Sequence, residues 1–256
     1  MKNKTAIRYY ELDAWRGLAI LGMVAMHVSI VEAILRGQAL QRTVAMWGEL
    51  PLTIIGRASA ISFLLLVGIS GAISYWRRLT SGQSQVQIEK YFLKRGLSIL
   101  GLGMVITVVT WLLIPESYIR FGILHLIGTS VLFIPLLMSR SMRIIMILVL
   151  LAALWIAWQI GPVHQVLILA WQYPAGFQTQ DIWPITPWMG VVVLGVELAH
   201  WLYPQGKRRS HWQISHQAVR NSAFLQSLVW SGQRSLWIYM LHVPVIVAIL
   251  LILQQF

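Results

Sequence analysis

The sequence predicts an all-α fold, a polytopic membrane bundle of about seven transmembrane helices that forms a single domain over residues 1–256. Composition is the first indication, because 57% of the residues are hydrophobic and only 11% are charged. Soluble domains are about 45–50% apolar and about 25% charged. The second indication is that the apolar residues fall into runs far longer than barrel strands, which favours helices over a β-barrel.

Seven apolar runs use most of the length and leave no stretch for a separate soluble domain. A helix needs about 20 apolar residues, at about 1.5 Å each, to cross a hydrocarbon core of about 30 Å. A further segment, Val163–Trp171, is too short to span and is expected to lie at the interface or to re-enter the membrane. The predicted spans are residues 15–36, 52–76, 94–114, 119–138, 142–160, 184–203 and 234–253.

The distribution of lysine and arginine predicts the orientation. Cytoplasmic loops carry an excess of both residues. One set of alternate loops holds only Arg36, Arg42 and Arg120. The other set is much richer and comprises Lys2, Lys4, Arg8, Arg77, Arg78, Lys90, Lys94, Arg95, Arg140, Arg143, Lys207, Arg208, Arg209 and Arg220.

This bias places the N-terminus in the cytoplasm and the C-terminus outside, as an odd number of spans requires. We expect a multi-pass protein of the bacterial inner membrane. The net charge of +12 is explained by the loops, so no nucleic-acid partner is predicted. The chain has no cysteine, which excludes disulfides, thiolate metal sites and a cysteine nucleophile. No metal site is predicted.

Ionisable side chains inside the spans direct the search for a functional site, because each costs about 2.5 kcal/mol or more in the hydrocarbon layer. On the first span, Asp13 and Arg16 are three residues apart and can pair at the cytoplasmic entrance. His27 follows Arg16 by almost three turns, so one helical face runs from a charged mouth to a deep imidazole. On spacing alone, a hydrogen-bonded packing histidine is favoured over a catalytic one.

The last span carries Ser235, Tyr239 and His242, and this face could complete a polar cavity. Pro244 frees a backbone carbonyl, which gives His242 an alternative role as a hydrogen-bonding residue. Glycines at 68, 96, 101 and 103 are expected to allow close helix packing.

Two further polar groups lie near the outer ends of spans. Arg120 and His125 point about 140° apart on a continuous helix, so both face one site only if the helix begins between them. Asp181 precedes the segment Pro184–Trp188 and could bind a substrate amine, orient a histidine or cap a helix. Glu197 and His200 are interpreted as structural residues at a cytoplasmic helix end.

Taken together, six segments resemble the bacterial branch of the heparan-alpha-glucosaminide N-acetyltransferase family, within the transmembrane acyltransferases. Their order and spacing carry the resemblance, which covers most of the chain. The segments are Leu12–Ile20 with Met26 and His27, Phe63–Ser70, Lys94–Gly96, Arg120–His125, Pro187–Gly190 and Gly232–His242.

The resemblance implies transfer of an acetyl group from cytoplasmic acetyl-CoA, as cosubstrate, to an amino sugar or glycan acceptor on the other side of the membrane. His27 best matches the family's key histidine and would act as general base or transient acetyl carrier. His125, His242 and Asp181 are the other candidate catalytic residues. Arg120 would stabilise the oxyanion or bind the acceptor, and the other candidate substrate-binding residues are Asp13, Arg16, Ser235, Tyr239 and Trp188.

CoA carries several phosphates, so Arg77, Arg78, Lys94 and Arg95 are expected to bind it from the cytoplasmic side. Membrane lipid is an expected partner, and a homodimer is compatible with the sequence. The alternative function is a small transporter or carrier that uses the same polar face. Transporters often contain internal repeats, and the two halves of this chain show no convincing repeat.

Overall fold

The computed structural model describes residues 8–35, 51–160, 179–209 and 214–253, and these ranges are almost entirely helical with no strand. The all-α prediction is therefore confirmed. Within these ranges a 3-10 turn, Pro204–Gly206, follows the helix Ile185–Leu202. The helices are α1 (Tyr10–Leu35), α2 (Pro51–Thr80), α3 (Gln85–Leu113), α4 (Ile123–Leu137), α5 (Arg140–Ile160), α6 (Ile185–Leu202), α7 (His216–Asn221), α8 (Ala223–Gln233) and α9 (Ser235–Leu253).

All seven predicted spans coincide with helices, and the polytopic membrane fold is confirmed. Within the described ranges, five helices are long and apolar enough to cross a bilayer: α1, α2, α3, α6 and α9. The other two predicted spans are α4, with 15 residues, and α5, with 21. At 1.5 Å per residue α4 is about 22 Å long, which is less than the hydrocarbon thickness. The predicted segment Val163–Trp171 lies outside the described residues, as do Lys2, Lys4, Arg36 and Arg42.

Helix α3 begins at Gln85 rather than at residue 94, because Ser84 and Gln87 form a capping box. The Gln87 N–H donates to Ser84 Oγ at 3.3 Å, and the Ser84 N–H donates to Gln87 Oε1 at 2.9 Å. Two of the helix's first N–H groups are satisfied in this way. Lys90, Lys94 and Arg95 therefore lie on the helix and not in a loop.

The chain divides into two compact units, residues 1–63 with 210–256 and residues 64–209. In the first unit, α1 and α8 meet at two glycines. A Cβ on Gly17 would lie 1.9 Å from the carbonyl oxygen of Leu228, and one on Gly232 would lie 1.8 Å from that of Asp13. The two backbones touch, so only glycine fits at either position.

The second unit contains two more glycine contacts. Gly68 of α2 packs on the α6 backbone at Val192, 2.2 Å from the position a Cβ would take. Gly96 of α3 and Gly128 of α4 pack on each other, with 2.9 Å from a Cβ on Gly96 to Gly128 O. Close packing is confirmed at Gly68, Gly96 and Gly103. It is wrong at Gly101, which has no described neighbour within 4 Å.

Arg143 is a buried residue of α5, although the sequence placed it among the loop cations. Its Nε lies 2.5 Å from Glu197 Oε1, and its Nη1 donates to the carbonyls of Leu137 and Met138 at 2.8 and 3.1 Å. The same nitrogen lies 3.5 Å from His200 Nε2. Arg143 therefore closes the C-terminus of α4, whose last carbonyls have no partner within the helix. The structural interpretation of Glu197 and His200 agrees with these contacts.

Candidate active site

The first unit places Asp13 between two arginines at the start of α1. Arg16 Nη1 donates to Asp13 Oδ1 and Arg8 Nε donates to Oδ2, both at 2.8 Å. The predicted Asp13–Arg16 pair is present, and Arg8 completes it. The Asp13 side chain is only 10% exposed, so its charge is stabilised by both guanidinium groups. The Asp13 carbonyl meanwhile contacts Gly232, which joins this pair to the α1–α8 crossing.

His27 lies three turns further along α1 and is half-buried. Its Nδ1 is 2.9 Å from the carbonyl oxygen of Met23, one turn earlier. A carbonyl oxygen can only accept, so Nδ1 carries the proton. In the neutral imidazole this leaves the lone pair on Nε2, the atom that a nucleophile or general base would use.

His242 of α9 contacts His27. The ring centroids are 4.7 Å apart and the rings meet edge to face at 83°. His242 Nδ1 donates to the Tyr239 carbonyl at 2.6 Å, so this ring holds the same tautomer. His242 Nε2 is buried and has no hydrogen-bond partner among the described residues. When both rings are neutral, they therefore lie side by side with the lone pair of each on Nε2.

The carbonyl that accepts the hydrogen bond from His242 is not the one that the sequence-based explanation names. Pro244 would free the carbonyl four residues earlier, that of Met240, whereas the bonded carbonyl belongs to Tyr239. The Tyr239 ring lies 5.5 Å from the His242 ring. Ser235 begins the same helix and is half-buried. Tyr239 therefore contacts His242 through both its backbone carbonyl and its ring.

In the second unit, His125 is bound at the start of α4. The Gly122 N–H donates to His125 Nδ1 at 3.2 Å, while His125 Nε2 lies 3.4 Å from Thr107 Oγ1. In the neutral ring the proton is therefore on Nε2, the opposite tautomer to that of His27 and His242. Both ring nitrogens are occupied, and the imidazole at N3 accepts the backbone N–H of the N-cap residue Gly122, as the N3 side chain of a capping box does.

Asp181 satisfies the next backbone donor of the same helix. Its Oδ2 accepts the Ile123 N–H at 3.0 Å, and its Oδ1 accepts the Trp183 indole N–H at 2.6 Å. The cap that the sequence allowed is present, but on α4 and not on the adjacent α6. Burial raises the pKa of Asp181 from 3.8 to about 6, although the three N–H groups of Ile123, Ile182 and Trp183 oppose this shift.

Arg120 lies just before the start of α4, and Trp188 lies in the first turn of α6. Helix α4 begins at Ile123, between Arg120 and His125, which is the condition under which both can serve one site. The Arg120 guanidinium lies 5.0 Å from the centre of the Tyr118 ring. Trp188 meets Trp183 edge to face, with centroids 4.6 Å apart. This end of the second unit therefore combines aromatic rings with one exposed cation.

Two of the four predicted CoA-binding cations, Arg78 and Arg95, contact Tyr91, a residue that the sequence interpretation missed. The Arg78 guanidinium lies 3.1 Å from the centre of the Tyr91 ring, and Arg95 Nη1 donates to the Tyr91 hydroxyl at 3.0 Å. The i, i+4 spacing of Tyr91 and Arg95 on one helix could have revealed this contact. Lys94 is exposed. Arg77 is half-buried next to Gly206.

The structure therefore assembles most of the candidate residues into four groups, one of which is the Asp13–Arg16 pair described above. His27, His242 and Tyr239 form one in the first unit, at the other end of α1 from Asp13 and Arg16. His125 and Asp181 meet at the start of α4 in the second unit. Arg78 and Arg95 meet at Tyr91, also in the second unit.

The comparison with known families identifies the chain. Residues 8–244 match the model of the catalytic region of heparan-alpha-glucosaminide N-acetyltransferase. The chain belongs to this family. It is accordingly an acetyltransferase, and its long apolar helices make it a membrane acetyltransferase. No curated protein and no solved structure gives a significant match.

Proposed function

We propose that this family member transfers an acetyl group from cytoplasmic acetyl-CoA to an amino sugar or glycan on the extracytoplasmic side of a bacterial inner membrane. The observation that carries the proposal is the contact between the His27 and His242 rings, each with Nδ1 on a backbone carbonyl, which in the neutral ring leaves the Nε2 lone pair available. Family membership favours this enzyme over a transporter built on the same polar face.

His27 is the proposed reacting group. In the two-step route, His27 Nε2 attacks the thioester carbonyl, the C–S bond breaks, and CoA leaves as a thiolate that takes up a proton. The acceptor nitrogen or oxygen then attacks the acetyl-imidazole, the acetyl bond to Nε2 breaks, and the proton released by the acceptor balances the one taken up by the CoA thiolate, which restores neutral His27. In the direct route, Nε2 instead removes the proton from the acceptor as it attacks the thioester, the C–S bond breaks, and the imidazolium gives this proton to the departing CoA thiolate. The Met23 carbonyl holds the required tautomer in both routes.

His242 is proposed to assist through its buried Nε2. This atom is an acceptor without a partner among the described residues, and a buried acceptor is most stable when a donor reaches it. The proton of an acceptor hydroxyl or amine would supply one. We assign His125 and Asp181 a positioning role, because their polar atoms already bind the first backbone donors of α4.

The cations near Tyr91 are proposed to bind the CoA phosphates. Arg78 and Arg95 converge there from two helices, and guanidinium groups bind phosphate in a fixed geometry. Arg120 and Trp188 are proposed to contact the acceptor. An aromatic ring and a cation suit a polar ring-shaped substrate such as a sugar.

The test compares purified wild type with His27→Ala and His242→Ala in detergent or nanodiscs. CoA release from acetyl-CoA is measured with a panel of amino sugars and glycans. We expect a roughly 10²–10⁴-fold loss of turnover in His27→Ala. In the two-step route, a stable acetyl group on wild type in the absence of acceptor would be detected by mass spectrometry.

His200→Ala is the matched control. His200 Nδ1 makes the same bond to a carbonyl one turn earlier, to Val196 O at 2.9 Å, but its Nε2 faces Arg143. This variant should keep most of its turnover. Equal turnover of His27→Ala and His200→Ala in folded protein, or failure of wild type to release CoA with any acceptor, would refute the assignment.

The proposed orientation is directly measurable, because the chain has no cysteine. Ser81→Cys in the turn after α2 and Glu116→Cys in the turn after α3 each introduce one exposed thiol. A membrane-impermeant maleimide should label the Glu116 variant in intact cells and the Ser81 variant only after permeabilisation. The reverse pattern would place the N-terminus outside.

A further inference from the structure

A cleft of about 620 Å³ opens between the first turns of α3 and the end of α4, entirely within the second unit. The two helices cross in contact at Gly96 and Gly128, and the cleft lies between Gly96 and the start of α3. None of the histidines discussed above lines it. Its volume falls within the range of about 300–1,000 Å³ that is usual for ligand sites. Its lining residues are Gln85, Val86, Glu89, Lys90, Leu93, Leu132, Pro135, Leu136, Ser139 and Met142.

The walls of the cleft are apolar and open sideways. Val86, Leu93 and Leu136 are 57%, 52% and 45% exposed. All three are apolar side chains on helices of a membrane protein. Contiguous exposed apolar side chains are typical of surfaces that contact a lipid or another apolar partner. The chemistry of the walls therefore fits a hydrocarbon chain.

The mouth of the cleft carries positive charge. Lys90 lines it, Lys94 lies one turn further along α3, and Arg140 follows the lining residue Ser139. All three are exposed, and none makes an ion pair within the described part of the chain. Glu89 also lines the mouth, and Gln85 Nε2 donates to it at 2.8 Å. The lining residues Lys90 and Glu89 balance each other, so the excess positive charge near the mouth comes from Lys94 and Arg140, which adjoin the lining in the sequence.

We propose that this cleft binds an anionic phospholipid, with an acyl chain between α3 and α4 and the headgroup phosphate at Lys90, Lys94 and Arg140. Basic pockets between membrane helices recognise anionic headgroups in this way. The proposal requires only the geometry of the second unit and the membrane location. It is independent of the acetyl donor and of His27.

The experiment measures lipid retained by the purified full-length protein with native mass spectrometry. Phosphatidylglycerol and phosphatidylcholine with identical acyl chains are titrated separately. Phosphatidylglycerol should bind more tightly, and Lys90→Ala should weaken it roughly fivefold. Lys90→Arg should restore binding, and Ser139→Trp, which fills the mouth, should reduce the binding of both lipids.

Lys207→Ala is the charge-matched control, because Lys207 is exposed and does not line the cleft. The proposal is overturned if phosphatidylcholine binds equally well, or if Lys90→Ala binds phosphatidylglycerol as Lys207→Ala does. Displacement of the lipid by inorganic phosphate would indicate a simple anion site instead. Displacement by acetyl-CoA would assign the cleft to the donor. A protein that shows no acetyl transfer but still binds phosphatidylglycerol would contradict the proposed function and leave the lipid site in place.

Discussion

Replacement of Gly17 by alanine tests the α1–α8 crossing, on which the position of the Asp13 pair depends. The new Cβ would lie 1.9, 2.6 and 2.9 Å from the O, C and Cα atoms of Leu228. Ordinary contact begins at 3.4 Å, so the helices must separate by about 1.5 Å (3.4 − 1.9). All three contacts are backbone atoms, so no side chain can rotate out of the way.

Overpacking of this kind costs about 1–3 kcal/mol, and the rigid contacts place Gly17→Ala near the upper value. For a protein of this size about 3 kcal/mol corresponds to a melting temperature about 6–12 °C lower. Thermal unfolding of purified protein can be followed by the fluorescence of its thirteen tryptophans.

Gly101→Ala is the control, because no described atom lies within 4 Å of its Cβ position. Alanine also stabilises a helix by up to about 1 kcal/mol relative to glycine. The two variants should therefore change stability in opposite directions. If Gly17→Ala melts at or above the temperature of Gly101→Ala, the backbone contact inferred at Leu228 is wrong.

Three further predictions concern the second unit. Burial raises the pKa of Asp181 from 3.8 to about 6. Its contribution to stability should therefore fall as pH rises from about 4 to about 6, by up to about 3 kcal/mol (2.2 × 1.36). Asp181→Asn should flatten the dependence of melting temperature on pH. An unchanged slope would contradict the shift. Arg143→Met should destabilise more than Glu197→Gln, because each α4 carbonyl left without a donor costs about 1–3 kcal/mol and Glu197 is 47% exposed; equal losses would show that the ion pair dominates. His125→Gln keeps an N3 side chain able to cap α4, so it should retain stability and most acetyl transfer, and a loss as large as that of His27→Ala would make His125 a reacting group.

Some of the site could be predicted from residue spacing along one helix. The Asp13–Arg16 pair is three residues apart, and the contact between them was expected because such neighbours share a helical face. The same reasoning applies to Tyr91 and Arg95, although Tyr91 was overlooked. Local spacing determines contacts within a helix, since the geometry of the helix is constant.

Contacts between distant segments could not be predicted in this way. The Asp181 carboxylate caps α4, 58 residues earlier in the chain, rather than the helix it precedes. Arg143 was counted as a loop cation, yet it is buried against Glu197, 54 residues away. Charge counts cannot distinguish a solvated arginine from a paired one, because the difference depends on which helix packs beside it.

The sequence by itself determined that this protein is a helical membrane protein, since apolar runs of bilayer length have few alternatives to the helix in lipid. It also identified His27 and His242 as candidates. Only the tertiary structure decided that these two histidines touch, that a carbonyl faces Nδ1 in both, and that a backbone N–H faces Nδ1 in His125, which favours the opposite tautomer in the neutral ring. The physical reason is that a tautomer depends on which backbone groups lie within hydrogen-bonding distance of the ring, and packing sets those distances.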